Sequence, residues 1–351
     1  MKSIKIAILG IFTAISLMIS CKKTDIAMPK SEANIDSIAS KYYEGYLKMY
    51  PLEATMQGDN RYNDVLQDNM SQEFISKEIN FYNETQKKLQ SLDYKSLSNE
   101  DKIVYDVLDY TVKDKIERYA YHPELIPFSQ FEGLPLDFPL LGSGEGNQPF
   151  KTTKDYDNFL KRIDAFTVWM KTAENNFREG MKQKVVLPKK LVIKMIPQMR
   201  GEEIITENFE KNIFYGPIKK MPTNFTVAEK AKYTKLYQEA IKNKLIPTYQ
   251  KMGDFLEKEY LPNARNTDGI YALPNGKNTY TYLAKSWTTT NKTPEEINKI
   301  GLEQVAMLRA EMEKVKAQLG FKGTLEQFLT SLKTDKKAMP YKTPEEVIAA
   351  F

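Results

Sequence analysis

Apolar side chains recur at three- and four-residue spacing along most of this chain, a period that makes helices its main element. The clearest stripe is Tyr156, Phe159, Leu160, Ile163, Phe166, Met170, Ala173 and Phe177, with Gly180 as its expected stop. Ile35, Ile38, Ala39, Tyr42, Tyr46 and Met49 form another, which Pro51 ends. A helix over 71–89 follows. Ser98 and Asp101 then cap a third, with Ile103, Val107, Tyr110 and Ile116 on one side. Further helical stretches are expected over 189–209 and 226–261, the latter kinked or broken near Pro247. Thr293-Pro294-Glu295-Glu296 and Thr343-Pro344-Glu345-Glu346 each read as a Thr N-cap, a proline in the first position and a glutamate in the third. The first starts a long helix that ends near Gly320. The second reaches only Phe351, about two turns, and so short a helix is marginal alone. The reading that follows is of the front part of a longer protein.

Two regions leave the helical pattern. Prolines at 123, 127, 135, 139 and 149 and glycines at 133, 142, 144 and 146 oppose long regular elements, so 123–149 is expected to be a long loop. Between Ile270 and Leu283, Asn275-Gly276 separates Tyr271-Ala272-Leu273 from Thr279-Tyr280-Thr281-Tyr282, the pattern of a β-hairpin. The expected fold is therefore mostly α, a multi-helix array with one small hairpin near 270–283. Tyr280, Tyr282 and Trp287 cluster there and are the candidate substrate-contact residues, with simple packing as the alternative.

The N-terminus carries Lys2 and Lys5 and an apolar run from Ile6 to Ile19, too short to span a bilayer, which takes about 20 residues. Leu17-Met18-Ile19-Ser20-Cys21 resembles a bacterial lipoprotein signal, with Cys21 as the acylated residue and Met18 where leucine is commonest. An ordinary signal peptide with an incidental cysteine is the alternative. The expected organisation is a signal peptide at 1–20, a flexible tether at 21–33 and a helical domain at 34–351. Diacylglycerol plus an N-acyl chain would hold the protein stably on a membrane of the cell envelope. Cys21 is the only cysteine, so no disulfide within the chain is possible. Removing Lys2 and Lys5 takes the formal charge from +5 to +3, with both signs interspersed, and no nucleic-acid footprint appears.

Chemistry is scarce in the sequence. His122 is the only histidine, which excludes His-Glu-x-x-His and any other two-histidine metal site within these residues. No Gly-x-Ser-x-Gly elbow is present, and the only Ser-x-x-Lys pair is Ser20 with Lys23. Gly142-Ser143-Gly144-Glu145-Gly146 lacks the ending of a phosphate loop and reads as flexible loop. Glu202-Glu203 and Asp155 with Asp157 read as solvated faces or first-turn charges. No catalytic, cofactor-binding or metal-ligating residue is assigned.

Tyr50-Pro51-Leu52-Glu53-Ala54-Thr55 through Gly58-Asp59-Asn60-Arg61-Tyr62, and Asp155-Tyr156 through Arg178-Glu179-Gly180 with Pro188, resemble a bacterial family of unknown function, numbered eight-eight-five. Tyr260-Leu261-Pro262-Asn263-Ala264-Arg265 through Leu273-Pro274-Asn275-Gly276, Thr288-Thr289-Thr290, Thr293 to Ile297 and Gly301-Leu302 are the most specific part of the likeness. The resemblance implies an exported, often lipidated protein related to zinc metallopeptidases of the thermolysin-related clan. It also implies the N-terminal part of a helical metallopeptidase-like fold and a peptide substrate. The family's zinc motif lies downstream of the Thr293 helix, so no zinc ligand or general base is carried onto this chain. Asn298 stands where relatives often have histidine. The alternatives are a non-catalytic, lipid-anchored helical protein that binds peptides or glycans, and a decayed fragment of an enzyme.

Overall fold

The computed structural model describes residues 34–337 and 339–351, which fall into two compact units, 34–266 and 267–351. Cys21, the signal segment and the tether lie outside the described residues.

The first unit opens with α1 (Ile35–Met49), capped by Asn34, whose Oδ1 accepts the Ser37 amide at 2.7 Å. Pro51 both ends α1 and starts α2 (Pro51–Met56), since a first-turn proline has no helical N–H to lose. Ser71 caps α3 (Gln72–Gln90) and Ser98 caps α4 (Asn99–Arg118). α1, α3 and α4 enclose a small core of Ile35, Ile38, Tyr82, Leu89, Leu108 and Val112. The apolar side that the sequence shows on α4 is not the side that is buried. Ile103 and Val107 are exposed, while Leu108 and Val112 are buried, with Tyr105 and Ile116 against them. The sequence carries two apolar rows at helical spacing, and periodicity alone does not choose between them.

The proline-rich segment contains a helix, α5 (Leu134–Gly142), despite Pro135 and Pro139. Pro139 cannot donate to the carbonyl of Pro135, and the Tyr249 hydroxyl donates to that carbonyl instead, at 2.8 Å. α6 (Thr153–Lys182) is the axis of the unit, opened by a Thr152–Asp155 capping box. Its predicted stripe is buried, apart from the half-buried Leu160, and Phe138 of α5 stacks on Phe166 with centroids 4.1 Å apart. Gly180 does not stop α6. It lies within the last turns, where a Cβ would come within 2.7 Å of the Val185 carbonyl oxygen and 2.8 Å of that of Leu125.

The stretch expected over 189–209 breaks after α7 (Lys189–Met199), and α8 (Glu202–Ile205) follows Gly201. α9 (Gly216–Lys219) leads to a continuous helical run made of α10 (Val227–Ala240), a π turn at Ile241–Leu245, α11 (Ile246–Phe255), a second π turn at Leu256–Tyr260, and α12 (Leu261–Asn263). Each π turn ends just before a proline, Pro247 or Pro262. The widened turn takes up the missing donor, so the expected kink is a π bulge.

In the second unit the expected hairpin is not formed. Ile270–Ala272 is a 3-10 turn, and α13 (Gly276–Thr288) follows. The alternating threonines, read as strand residues, turn their hydroxyls back to carbonyls four residues upstream, Thr279 to Asn275 and Thr281 to Lys277. α14 (Pro294–Gln318) has the expected Thr293–Glu296 capping box and ends before Gly320, whose φ is +70°. α15 (Leu325–Leu332) and α16 (Pro344–Ala350) complete the unit.

Gly180→Ala is expected to destabilise the protein by about 1–3 kcal/mol, because two backbone oxygens must give way. Gly301→Ala in α14 meets nothing within 4 Å, and should stabilise its unit by up to about 1 kcal/mol. Thermal or urea melts of the two variants check the opposite signs.

Candidate functional site

Between the small core of α1, α3 and α4 and the large core around α6 lies a cleft held open by polar side chains. Arg162, on the buried side of α6, is wholly inaccessible to solvent. Its guanidinium donates to Thr55 Oγ1 at 2.7 Å, to the Tyr62 and Val65 carbonyls at 3.1 Å, to the Pro51 carbonyl at 3.4 Å, and to Gln148 Oε1. Burial lowers its pKa to about 10, against the opposing pull of Asp64, so it stays charged at neutral pH. These bonds tie residues 51–65 to the axial helix.

The next residues are laid along α6 in the same way. Trp169 Nε1 donates to Asn69 Oδ1 at 2.7 Å, Thr172 Oγ1 to Asp68 Oδ2 at 2.6 Å, and Asn176 Nδ2 to the Met70 carbonyl at 2.9 Å. Asp68 keeps its other oxygen buried without a partner, and burial raises its pKa.

On the opposite wall, buried Glu78 accepts three phenol protons. Tyr50 and Tyr82 donate to Oε1, the latter at 2.6 Å, and Tyr119 donates to Oε2. The cluster joins the end of α1, the middle of α3 and the turn after α4. All three phenols are pushed well above their usual pKa, first by burial and then by neighbours that include the Glu78 charge. With both oxygens occupied, Glu78 is a structural acceptor rather than a free base.

Two hollows flank this wall and share Tyr50, Asn69 and Met70. The larger, of about 230 Å³, is mainly apolar, with Met49, Leu66, Leu134 and Trp169 around it and Glu53 and Asp137 on its lining. Burial, then the charge of Glu132, raises the Asp137 pKa. The smaller, of about 60 Å³, is lined by Ile75, Glu78, Arg118, Tyr119, Pro123 and Glu124 as well.

The residues singled out in the sequence lie elsewhere, apart from His122. Tyr280, Tyr282 and Trp287 sit on α13, with Tyr282 buried, Tyr280 half-exposed at 42 % and Trp287 projecting at 85 %. His122 is an exposed residue in the left-handed region, φ 49°, with Nδ1 3.1 Å from Glu124 Oε1. Asp155 is spent on its capping box, and half-buried Asp157 lies 3.7 Å from Lys232. Gly142 serves close packing rather than flexibility, since a Cβ there would meet Phe159 at 2.4 Å and Phe214 at 2.6 Å. Among the described residues no three His, Cys, Asp or Glu side chains converge as a metal site.

A model built for bacterial proteins of unknown function, DUF885, matches residues 51–351. The chain belongs to the DUF885 family. Two of the DUF885-like stretches meet in the fold. The Leu187 amide donates to the Tyr260 hydroxyl at 2.9 Å, the Arg265 amide to the Leu187 carbonyl at 3.1 Å, and the Lys189 amide to the Arg265 carbonyl at 2.8 Å. The stretch from Tyr50 to Tyr62 supplies three of the acceptors around Arg162. Among solved structures, the chain is similar to one described as "the putative lipoprotein from Colwellia psychrerythraea", with a TM-score of 0.68 and 19 % identity over 87 % of this chain. The likeness shows a shared fold. This chain spans 55 % of the length of that structure. A search of curated proteins found no match.

Sequence reasoning passed over Glu78 and Arg162, yet each left a signal, a charged residue set among apolar ones on an inward helix face. Glu78 shares the buried side of α3 with Phe74, Ile75 and Tyr82, and Arg162 shares that of α6 with Phe159 and Ile163.

The phenol cluster sets a pH dependence. The folded-state pKa values of Tyr50, Tyr82 and Tyr119 lie above those of the unfolded chain. Their contribution to stability is therefore complete below about pH 10 and lost as pH rises beyond it toward the folded values. Tyr82→Phe should cost about 1–2 kcal/mol at neutral pH and make the decline above pH 10 shallower than in the wild type. Urea melts between pH 8 and 11.5 check this, and equal slopes would count against it.

Proposed function

We propose that this chain is a lipid-anchored protein of the bacterial cell envelope, and that its helical domain is the N-terminal wall of a zinc-dependent, peptidase-like hydrolase. The observation that carries the reading is DUF885 membership over 51–351 together with a fold shared with the longer structure described as a "putative lipoprotein". Cys21, after the apolar run from Ile6 to Ile19, is the acylated residue on this reading.

The side chains present do not fit zinc. The one histidine pairs with Glu124, and no third donor joins them among the described residues. No catalytic step is therefore assigned to them, and the proposal places metal ligands and general base in polypeptide beyond these 351 residues. The outward surface of α14 is consistent with that. Leu302, Val305, Leu308, Met312 and Val315 share one side of it at helical spacing and are all exposed, an apolar surface of the kind that packs against further protein.

The cleft beside α6 favours a second reading, a non-catalytic anchored protein that binds peptides or glycans. Metal analysis and peptide-cleavage assays separate the two. On the first reading, a form extended past Phe351 holds zinc and cleaves peptides while the 351-residue chain does neither. An extended form with neither property, combined with peptide or glycan binding by this chain, would establish the second.

Cys21→Ser should abolish lipid labelling and leave an unprocessed precursor, while the wild type partitions into detergent. Metabolic labelling with a fatty acid and phase separation check this. A wild-type protein that takes no label would overturn the anchor.

A further inference from the structure

We infer that the small hollow at Glu124 is a binding site for a primary ammonium group carried on an apolar stem. Glu124 is 8 % exposed and lines the hollow. Its Oε1 faces His122 Nδ1 at 3.1 Å, while Oε2 is buried with no hydrogen-bond partner. A carboxylate oxygen left bare in the interior is costly, and a donor that reaches it recovers that cost.

The neighbours define which donor fits. Tyr50 and Tyr119 spend their hydroxyl protons on Glu78, so toward any further partner their oxygens can only accept. Asn69 Oδ1 already accepts from Trp169 and has a second lone pair. The charges facing the hollow are Glu78, Glu124 and Arg118, with His122 on the outer side of Glu124. On the lining itself, Glu78 and Glu124 against Arg118 leave one net negative charge. The hollow thus offers several acceptors to a ligand that must bring donors and positive charge, which is the chemistry of an ammonium with its three N–H groups.

Size agrees. About 60 Å³ is several times the roughly 10–15 Å³ that admits one water, and takes an ammonium with its first methylene. Met70, Ile75 and Pro123 on the lining of the same hollow give the stem an apolar side. Two sources share this chemistry, a free hydrophobic amine and the N-terminus of a peptide that begins with an apolar residue.

Calorimetric titration of the 351-residue chain at pH 7 with 2-phenylethylamine and with 2-phenylethanol tests the charge requirement. Leu-Gly and N-acetyl-Leu-Gly distinguish the sources. The amine should bind and the alcohol should not, and Glu124→Gln should weaken amine binding at least about tenfold. Binding of Leu-Gly but not its acetylated form supports a peptide N-terminus, and binding of phenylethylamine alone supports a free amine. Equal affinity for amine and alcohol, unchanged binding in Glu124→Gln, or no binding of any probe to the wild type would overturn the inference. Should Glu124→Gln fail to fold, the amine and alcohol compared on the wild-type chain decide it.

Discussion

The guanidinium of Arg162 is buried on the inward side of α6 without a carboxylate on it, and the shape of the cleft depends on that. Taking a cation out of water costs several kcal/mol, and what offsets the cost here is five oxygen acceptors, three of them backbone carbonyls. Those carbonyls belong to Pro51, Tyr62 and Val65, so the charge dictates the path of a segment with little apolar surface of its own. Once 51–65 is fixed, Tyr50 stands at the edge of the cleft, and residues 68–70 continue along α6 on bonds from Trp169, Thr172 and Asn176.

The Glu78 cluster completes the opposite wall by the same logic with the signs reversed. A buried anion is held by three neutral phenols from three places in the chain, which locks α1, α3 and the end of α4 to one another. The two apolar cores of the first unit are separate clusters, and polar groups occupy the ground between them. A gap between cores that is lined by hydrogen-bonding groups does not collapse as an apolar void would, which leaves room for the two hollows.

What could be read in the sequence was what local chemistry decides. The caps at Ser98, Thr293 and Thr343, the stripe of α6 and the disturbance at Pro247 depend on residues within a turn or two of each other, and the structure shows them. The failures share a different cause. The inward face of α4 was chosen by what α1 and α3 offered it. α5 survives its prolines because Tyr249, more than a hundred residues away, donates to the freed carbonyl. The Asn275-Gly276 pair resembled a hairpin turn, but threonine hydroxyls that bond back along the chain suit a helix equally well. Arg162 meets its partners from residues 51–65 across about a hundred positions of sequence, beyond the reach of any spacing rule.

If Arg162 sets the cleft, removing its donors while keeping its bulk should release that segment before anything else. Amide hydrogen exchange on Arg162→Met measures this directly, with an expected cost of about 3 kcal/mol or more from carbonyls left without partners. The account predicts that residues 50–70 lose protection while the amides of α6 keep theirs near wild-type levels. Unchanged exchange in 50–70, or loss spread evenly over the first unit, would contradict it.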